Sequence, residues 1–308
     1  MNTADVAIDQ GPRTPNTVLT RVVASLSARI GIGITLVVIA VALFAPVLAP
    51  FDPLAIDLAH KLQPPGTPYL LGTDQTGRDL ASRILWGSRH SIVIALSSVA
   101  IGCLFGISLG LLAGTLSNTL AETVIMRFFD LIFSIPTLVW SIAIIGIIGT
   151  GALKIGPFEL DNQFKLIALI GASFVPALGR ITYSVALVES KADYVRVKKS
   201  LGAGWMEIAC IEILPNALPP ALIQATLYMG VAIILEASLS FVGLGVQPPT
   251  PSWGTMLSDA RTFIFSGQWW LPVFPGLAIC FTVIGFNILG DGLRDALDPK
   301  SRATSTLV

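Results

Sequence analysis

Charge is scarce in this chain. Its 308 residues hold 19 Lys+Arg and 19 Asp+Glu, so 12% are charged, about half the usual quarter of a soluble domain. With no net charge there is no broad field to gather nucleic acid. Cysteine is rarer still. Cys103, Cys210 and Cys280 lie far apart and form no CxxC pair, which excludes a disulfide framework and zinc spacing. His60 and His90 stand alone, a pattern that argues against a metal centre or a His-based catalytic dyad. No GxxxxGK[ST], GxSxG or HExxH occurs, which removes a phosphate-cradling loop and the common hydrolase signatures. What is abundant is apolar: 53% of residues, with a mean hydropathy of +0.77. Such a chain must present apolar surface to something other than water, and it reads as an integral membrane protein.

A bilayer core needs about 20 apolar residues per helix, so runs between charges predict the spans. Six appear: 30–51, 91–121, 131–153, 166–188 (broken only by Arg180), 213–235 (continuing past Glu236), and 262–290, most helical from Leu271. The fold class is therefore all-α with six transmembrane helices. Gly102, Gly106, Gly110 and Gly114 recur every four residues on the second span. They read either as ordinary membrane-helix composition or as a seam for a neighbouring helix.

Residues 1–29 are polar, contain Pro12 and Pro15, and place Arg13, Arg21 and Arg29 before the first apolar run. That run is long for a signal-peptide core and fits an uncleaved anchor with its amino terminus inside. Six spans then put both termini in the cytoplasm. Twelve of the 19 basic residues fall on the inside and seven outside, in keeping with the positive-inside rule. The expected organisation is a tail at 1–29, a first span at 30–51 and an outside loop at 52–90. A core at 91–294 follows, containing an inside loop at 189–216, and the carboxyl-terminal tail is 295–308.

The inside loop is the most charged segment. Tyr194, Val197, Leu201, Trp205 and Ile208 recur at helical intervals, with Asp193, Arg196, Lys199, Ser200 and Glu207 off that stripe. Gly202 and Gly204 break the helix, and Pro215 should end the second piece before the fifth span. Two short amphipathic helices at a bend suit either a groove on a soluble partner or the membrane interface. Glu236 stands inside a span, where an ionisable residue marks either a translocation path or a hydrogen-bonded interior. Arg180 lies near enough to the inner boundary to snorkel.

The inside loop resembles the EAA loop of bacterial ABC-importer permeases. Arg196-Val197-Lys198 holds the triplet position, Gly202 follows after three residues, and Glu212-Ile213-Leu214-Pro215 after nine more. Asp193-Tyr194-Val195 precedes it as in the peptide-importer branch. Val197 and Lys198 replace two alanines, and Glu212 replaces an isoleucine. Leu71-Gly72-Thr73-Asp74 through Gly77-Arg78-Asp79, Glu236 through Phe241, Gly243 through Pro251, Trp253-Gly254, and Gly290 through Pro299 are similar to the C-type permease of the dipeptide/oligopeptide/nickel family.

The resemblance implies a type I ABC-importer permease in the bacterial inner membrane, moving short peptides received from an extracytoplasmic solute-binding protein. It implies pairing with a second permease subunit and two cytoplasmic ATPase subunits that bind ATP and Mg, this chain itself holding no cofactor and doing no catalysis. Asp193, Tyr194, Arg196, Val197, Lys198, Leu201, Gly202, Trp205, Leu214 and Pro215 would form the ATPase-coupling loop. Nickel and glutathione importers share these segments, so either cargo is an alternative. A stand-alone secondary transporter or channel would carry more intramembrane charge.

Overall fold

A computed structural model describes residues 25–155 and 158–297. The polar stretch 1–24, with Arg13 and Arg21, and residues 298–308, with the end of the Gly290–Pro299 segment, lie outside the described residues.

Five helices are long and apolar enough to cross a bilayer: α1 (Leu26–Leu48), α2 (Leu80–Thr115), α5 (Asn162–Glu189), α7 (Trp205–Phe241) and α9 (Trp270–Leu297). The stretch expected to form the third span is a bent pair, α3 (Leu120–Phe133) and α4 (Thr137–Ile148), at 84°, which makes a sixth crossing if its two halves count as one span. Its break falls at Ser134-Ile135-Pro136. Proline disfavours helix in the residue before it and cannot donate to the ladder, so one straight helix over 131–153 is not formed. Short α6 (Asp193–Ser200) and α8 (Trp253–Ala260) complete the helices. A two-stranded antiparallel hairpin, β1 (Leu153–Ile155) with β2 (Phe158–Leu160), links α4 to α5.

α2 and α5 form the central pair, and the glycine stripe is their seam. A Cβ on Gly106 would lie 2.7 Å from the Val175 carbonyl oxygen, and one on Gly110 would lie 2.2 Å from that of Gly179. No side chain fits there, so the backbones touch. α7 packs on both helices, and α1 and α9 pair beside them. Ile94, Leu166, Ile170, Leu178, Ile233 and Leu239 are fully buried between them. Leu43, Val47 and Ile147 are instead exposed, as a lipid-facing surface requires.

α2 starts at Leu80 rather than Ser91. Asp79 caps it, accepting from the Ser82 amide at 2.8 Å, so the charged residues Arg83 and Arg89 ride on its first turns. α7 shows a second difference. Pro215 does not end a helix before the fifth span, because Ile208–Ile213 form a π-helical turn and the chain runs on unbroken. Widening the helix just ahead of Pro215 relieves the clash between its ring and the preceding turn.

Candidate functional site

The segment singled out for coupling is a rigid knob where the ends of α2, α5 and α7 meet. α6 closes with a Schellman motif: the Gly202 amide donates to the Lys199 carbonyl at 3.0 Å and the Ala203 amide to that of Lys198 at 3.1 Å. Gly202 has φ +88°, the left-handed conformation that glycine adopts freely. Gly204 then leads into Trp205, whose indole N–H donates to Thr115 Oγ1 at 3.2 Å. Val195, fully buried with Leu111, Ala186, Ile208, Ala209 and Ile213, pins α6 down. The periodicity missed it because Val195 lies off the stripe, while Ile208, on the stripe, turns inward.

The rest of the stripe faces outward. Tyr194, Val197, Leu201 and Trp205 are exposed, Leu201 at 79%. Asp193 and Arg196 pair across one turn at 3.1 Å. Tyr194 donates its hydroxyl to Glu189 and accepts from Asn216 at 3.3 Å, fastening α6 to both spans. Burial and the Glu189 carboxylate push the Tyr194 phenol up from its ordinary value. Leu214 is half-buried, and Pro215 is exposed at the base of the knob, so the ten candidates divide between its face and its footing.

Two departures from the EAA pattern explain each other. Lys198 stands where alanine is usual and Glu212 where isoleucine is usual, and their side chains meet at 2.9 Å. The Glu212 carboxylate raises the Lys198 ammonium above its ordinary value. Each unusual charge is the other's partner, tying α6 to the π-helical turn.

Glu236 has no exposed surface. Ser240 donates to one carboxylate oxygen at 2.7 Å and Ser91 to the other at 3.2 Å. Within this chain the residue joins α7 to α2 and faces no open passage. Arg180 does not reach for the boundary either; it pairs with Asp130 on α3.

The remaining family-like segments converge at the opposite end. Asp74 accepts from Arg83 Nη1 at 2.5 Å, from Arg78 Nε at 2.7 Å, and from the Thr76 hydroxyl at 2.8 Å. Burial would raise its carboxyl, but Arg83, Thr76 and Arg78 outweigh that and hold it below the usual range. Asp259 of α8 lies 3.7 Å from Arg83, and burial raises its carboxyl despite that cation. Trp270 donates to the Thr73 carbonyl at 3.2 Å and Trp253 to that of Ile84 at 3.1 Å. The 49–79 loop is thereby clamped over α2, α8 and α9.

A bundle of apolar helices with an exposed knob at one end and a clamped loop at the other is the architecture of a multi-pass membrane protein. The chain belongs to the family described as binding-protein-dependent transport system inner membrane component, whose model matches residues 106–303. Residues 18–65 also match the N-terminal TM domain of oligopeptide transport permease C. Among relatives, the di/tripeptide transport system permease protein DppC of Pseudomonas aeruginosa is 43% identical, covering 88% of this chain and 87% of its own. The probable D,D-dipeptide transport system permease protein DdpC of Escherichia coli is 42% identical over 84% and 83%. The dipeptide transport system permease protein DppC of Haemophilus influenzae is 41% identical over 89% and 90%. A solved structure of the MetNI methionine ABC transporter in an inward-facing conformation superposes with a TM-score of 0.53 at 18% identity, covering 70% of this chain and 97% of that one. That likeness shows the fold. The chain is the inner-membrane component of an ABC import system that works with a binding protein and an ATPase.

Proposed function

We propose that the chain is the C-type permease subunit of a peptide importer, forming half of the passage with a second permease and driven by two cytoplasmic ATPases. The identity to di/tripeptide and dipeptide permeases along nearly the whole chain carries this reading. The absence of clustered His and Cys in the spans weighs against a bare metal ion as cargo. Uptake of labelled dipeptides by a deletion strain, restored by this gene, tests it. A strain whose dipeptide uptake is unchanged by the deletion would remove peptides and make nickel and glutathione the next cargoes to measure.

The exposed face of α6 is the surface for the ATPase. Tyr194 and Val197 on α6, with Leu201 and Trp205 just beyond it, leave bare side chains on a knob pinned by Val195, which suits a groove on a soluble partner. In this reading residues 189–216 and both termini are cytoplasmic and 52–90 is outside. ATP and Mg sit in the ATPases, and this chain holds no cofactor. ATP-driven closure of the ATPases would push the knob and shift the helices between inward and outward states, a coupling through differential binding. The isolated chain should bind no nucleotide; stoichiometric ATP binding in equilibrium dialysis would contradict the assignment.

A further inference from the structure

The ion pair of Asp130 with Arg180 has no role in the knob or the outer clamp. Asp130 lies ten residues into α3 from Leu120, and Arg180 nine residues before the end of α5 at Glu189. At the helical rise of about 1.5 Å per residue both sit roughly 14 Å from those two helix ends, and Asp130 lies three residues ahead of the end of α3 at Phe133, beside the break. Their side chains are nevertheless 46% and 44% exposed. Exposed charges on apolar spanning helices face water or a partner rather than lipid.

The surroundings point the same way. Thr123, Arg127 and Asp130 on α3 and Ser134 at its C-cap recur at intervals of 4, 3 and 4, one helical face, and all four are exposed. Ser184, one turn from Arg180, extends the face onto α5 and is exposed too. Arg127 reaches Asp130 at 3.6 Å, and the Arg180 guanidinium lies 4.9 Å from the Phe133 ring centroid. The face runs up to the break at Ser134-Ile135-Pro136. Broken helices occur inside membranes where they line a cavity or are covered by protein.

We infer that this face of α3 and α5 lines the aqueous passage, and that the Asp130–Arg180 pair is where a peptide in transit exchanges its charged ends. A short peptide is a zwitterion. Its ammonium matches Asp130 and its carboxylate matches Arg180, so the pair opens to the cargo without leaving either charge unpaired. This second half rests on the peptide reading above; the lining does not.

The test uses the assembled transporter with Cys103, Cys210 and Cys280 replaced by alanine. Thr123→Cys, Ser134→Cys and Ser184→Cys should each react with a charged, membrane-impermeant thiosulfonate at least tenfold faster than Phe44→Cys on the apolar face of α1. Rates no faster than at Phe44 would mean that lipid or the partner permease covers the face, and would overturn the lining. Asp130→Asn and Arg180→Gln should each lower dipeptide uptake at least tenfold while the purified complex keeps its ATPases and its labelling pattern. Uptake within twofold of wild type would overturn the contact role. So would full recovery in the exchanged double variant Asp130→Arg/Arg180→Asp, which would mark the pair as a link between helices. If the wild-type transporter imports no dipeptide, the cargo reading fails while the labelling still decides the lining.

Discussion

At the residue scale, Gly202 separates backbone from contact. A Cβ there meets nothing within 4 Å in this chain, so a substitution acts through φ +88° and through whatever docks on the knob. Gly202→Ala should add the left-handed penalty of roughly 1–2 kcal/mol locally and reduce transport only partly. Gly202→Asp adds a charge to the docking face and should insert normally while losing uptake and copurifying ATPases. Normal uptake by a well-expressed Gly202→Asp variant would remove the coupling role. Lys198 and Glu212 offer a second residue-scale test, because charges that compensate one another behave non-additively. The double variant Lys198→Ala/Glu212→Ile should retain more ATPase binding than either single variant, measured by copurification.

At the element scale, the seam between α2 and α5 decides whether the bundle closes. Gly110→Ala forces a methyl against the Gly179 backbone, an overpacking that costs about 1–3 kcal/mol. Gly146→Ala on α4 meets open space and should melt like wild type in detergent. Equal melting temperatures for the two variants would mean that the seam tolerates separation. The outer clamp is the other element-scale device. Asp74→Ala leaves the buried Arg83 without its nearest carboxylate, a loss of about 3–5 kcal/mol for a broken buried pair, and should expose the 49–79 loop to protease. Because the Asp74 carboxyl is held below its ordinary value, its stabilisation is complete above that value and is lost as pH falls through the lowered folded one. The loop should therefore stay protected through mildly acidic pH and be released only below the usual carboxylate range. Release at pH 6 would show that Asp74 does not hold it.

At the scale of the whole molecule, topology is the governing expectation. Thr67→Cys should be labelled by an impermeant reagent in intact cells and Ser200→Cys only after lysis; the reverse pattern would invert the protein. The crossings themselves were largely legible in the sequence, because each long apolar stretch is a local property that the bilayer reads directly. The third was legible only in part. Counting between charges made Asp130 a boundary, whereas the structure starts α3 at Leu120 and carries that charge within the helix. Pairing with Arg180, fifty residues away, is what permits it, and no local pattern records a partner at that distance.

The sequence by itself determined the membrane class, the approximate spans and the helix break at Gly202, since composition, spacing and glycine chemistry act over a few residues. Only the tertiary structure decided which faces those elements show. It turned the glycine stripe into a backbone contact between α2 and α5, and it sealed Glu236 against Ser91 and Ser240. It also set Val195 inside the knob while leaving Tyr194, Val197 and Leu201 bare. Each of these outcomes depends on residues far apart in the chain, whose side chains find room or partners only when the helices pack.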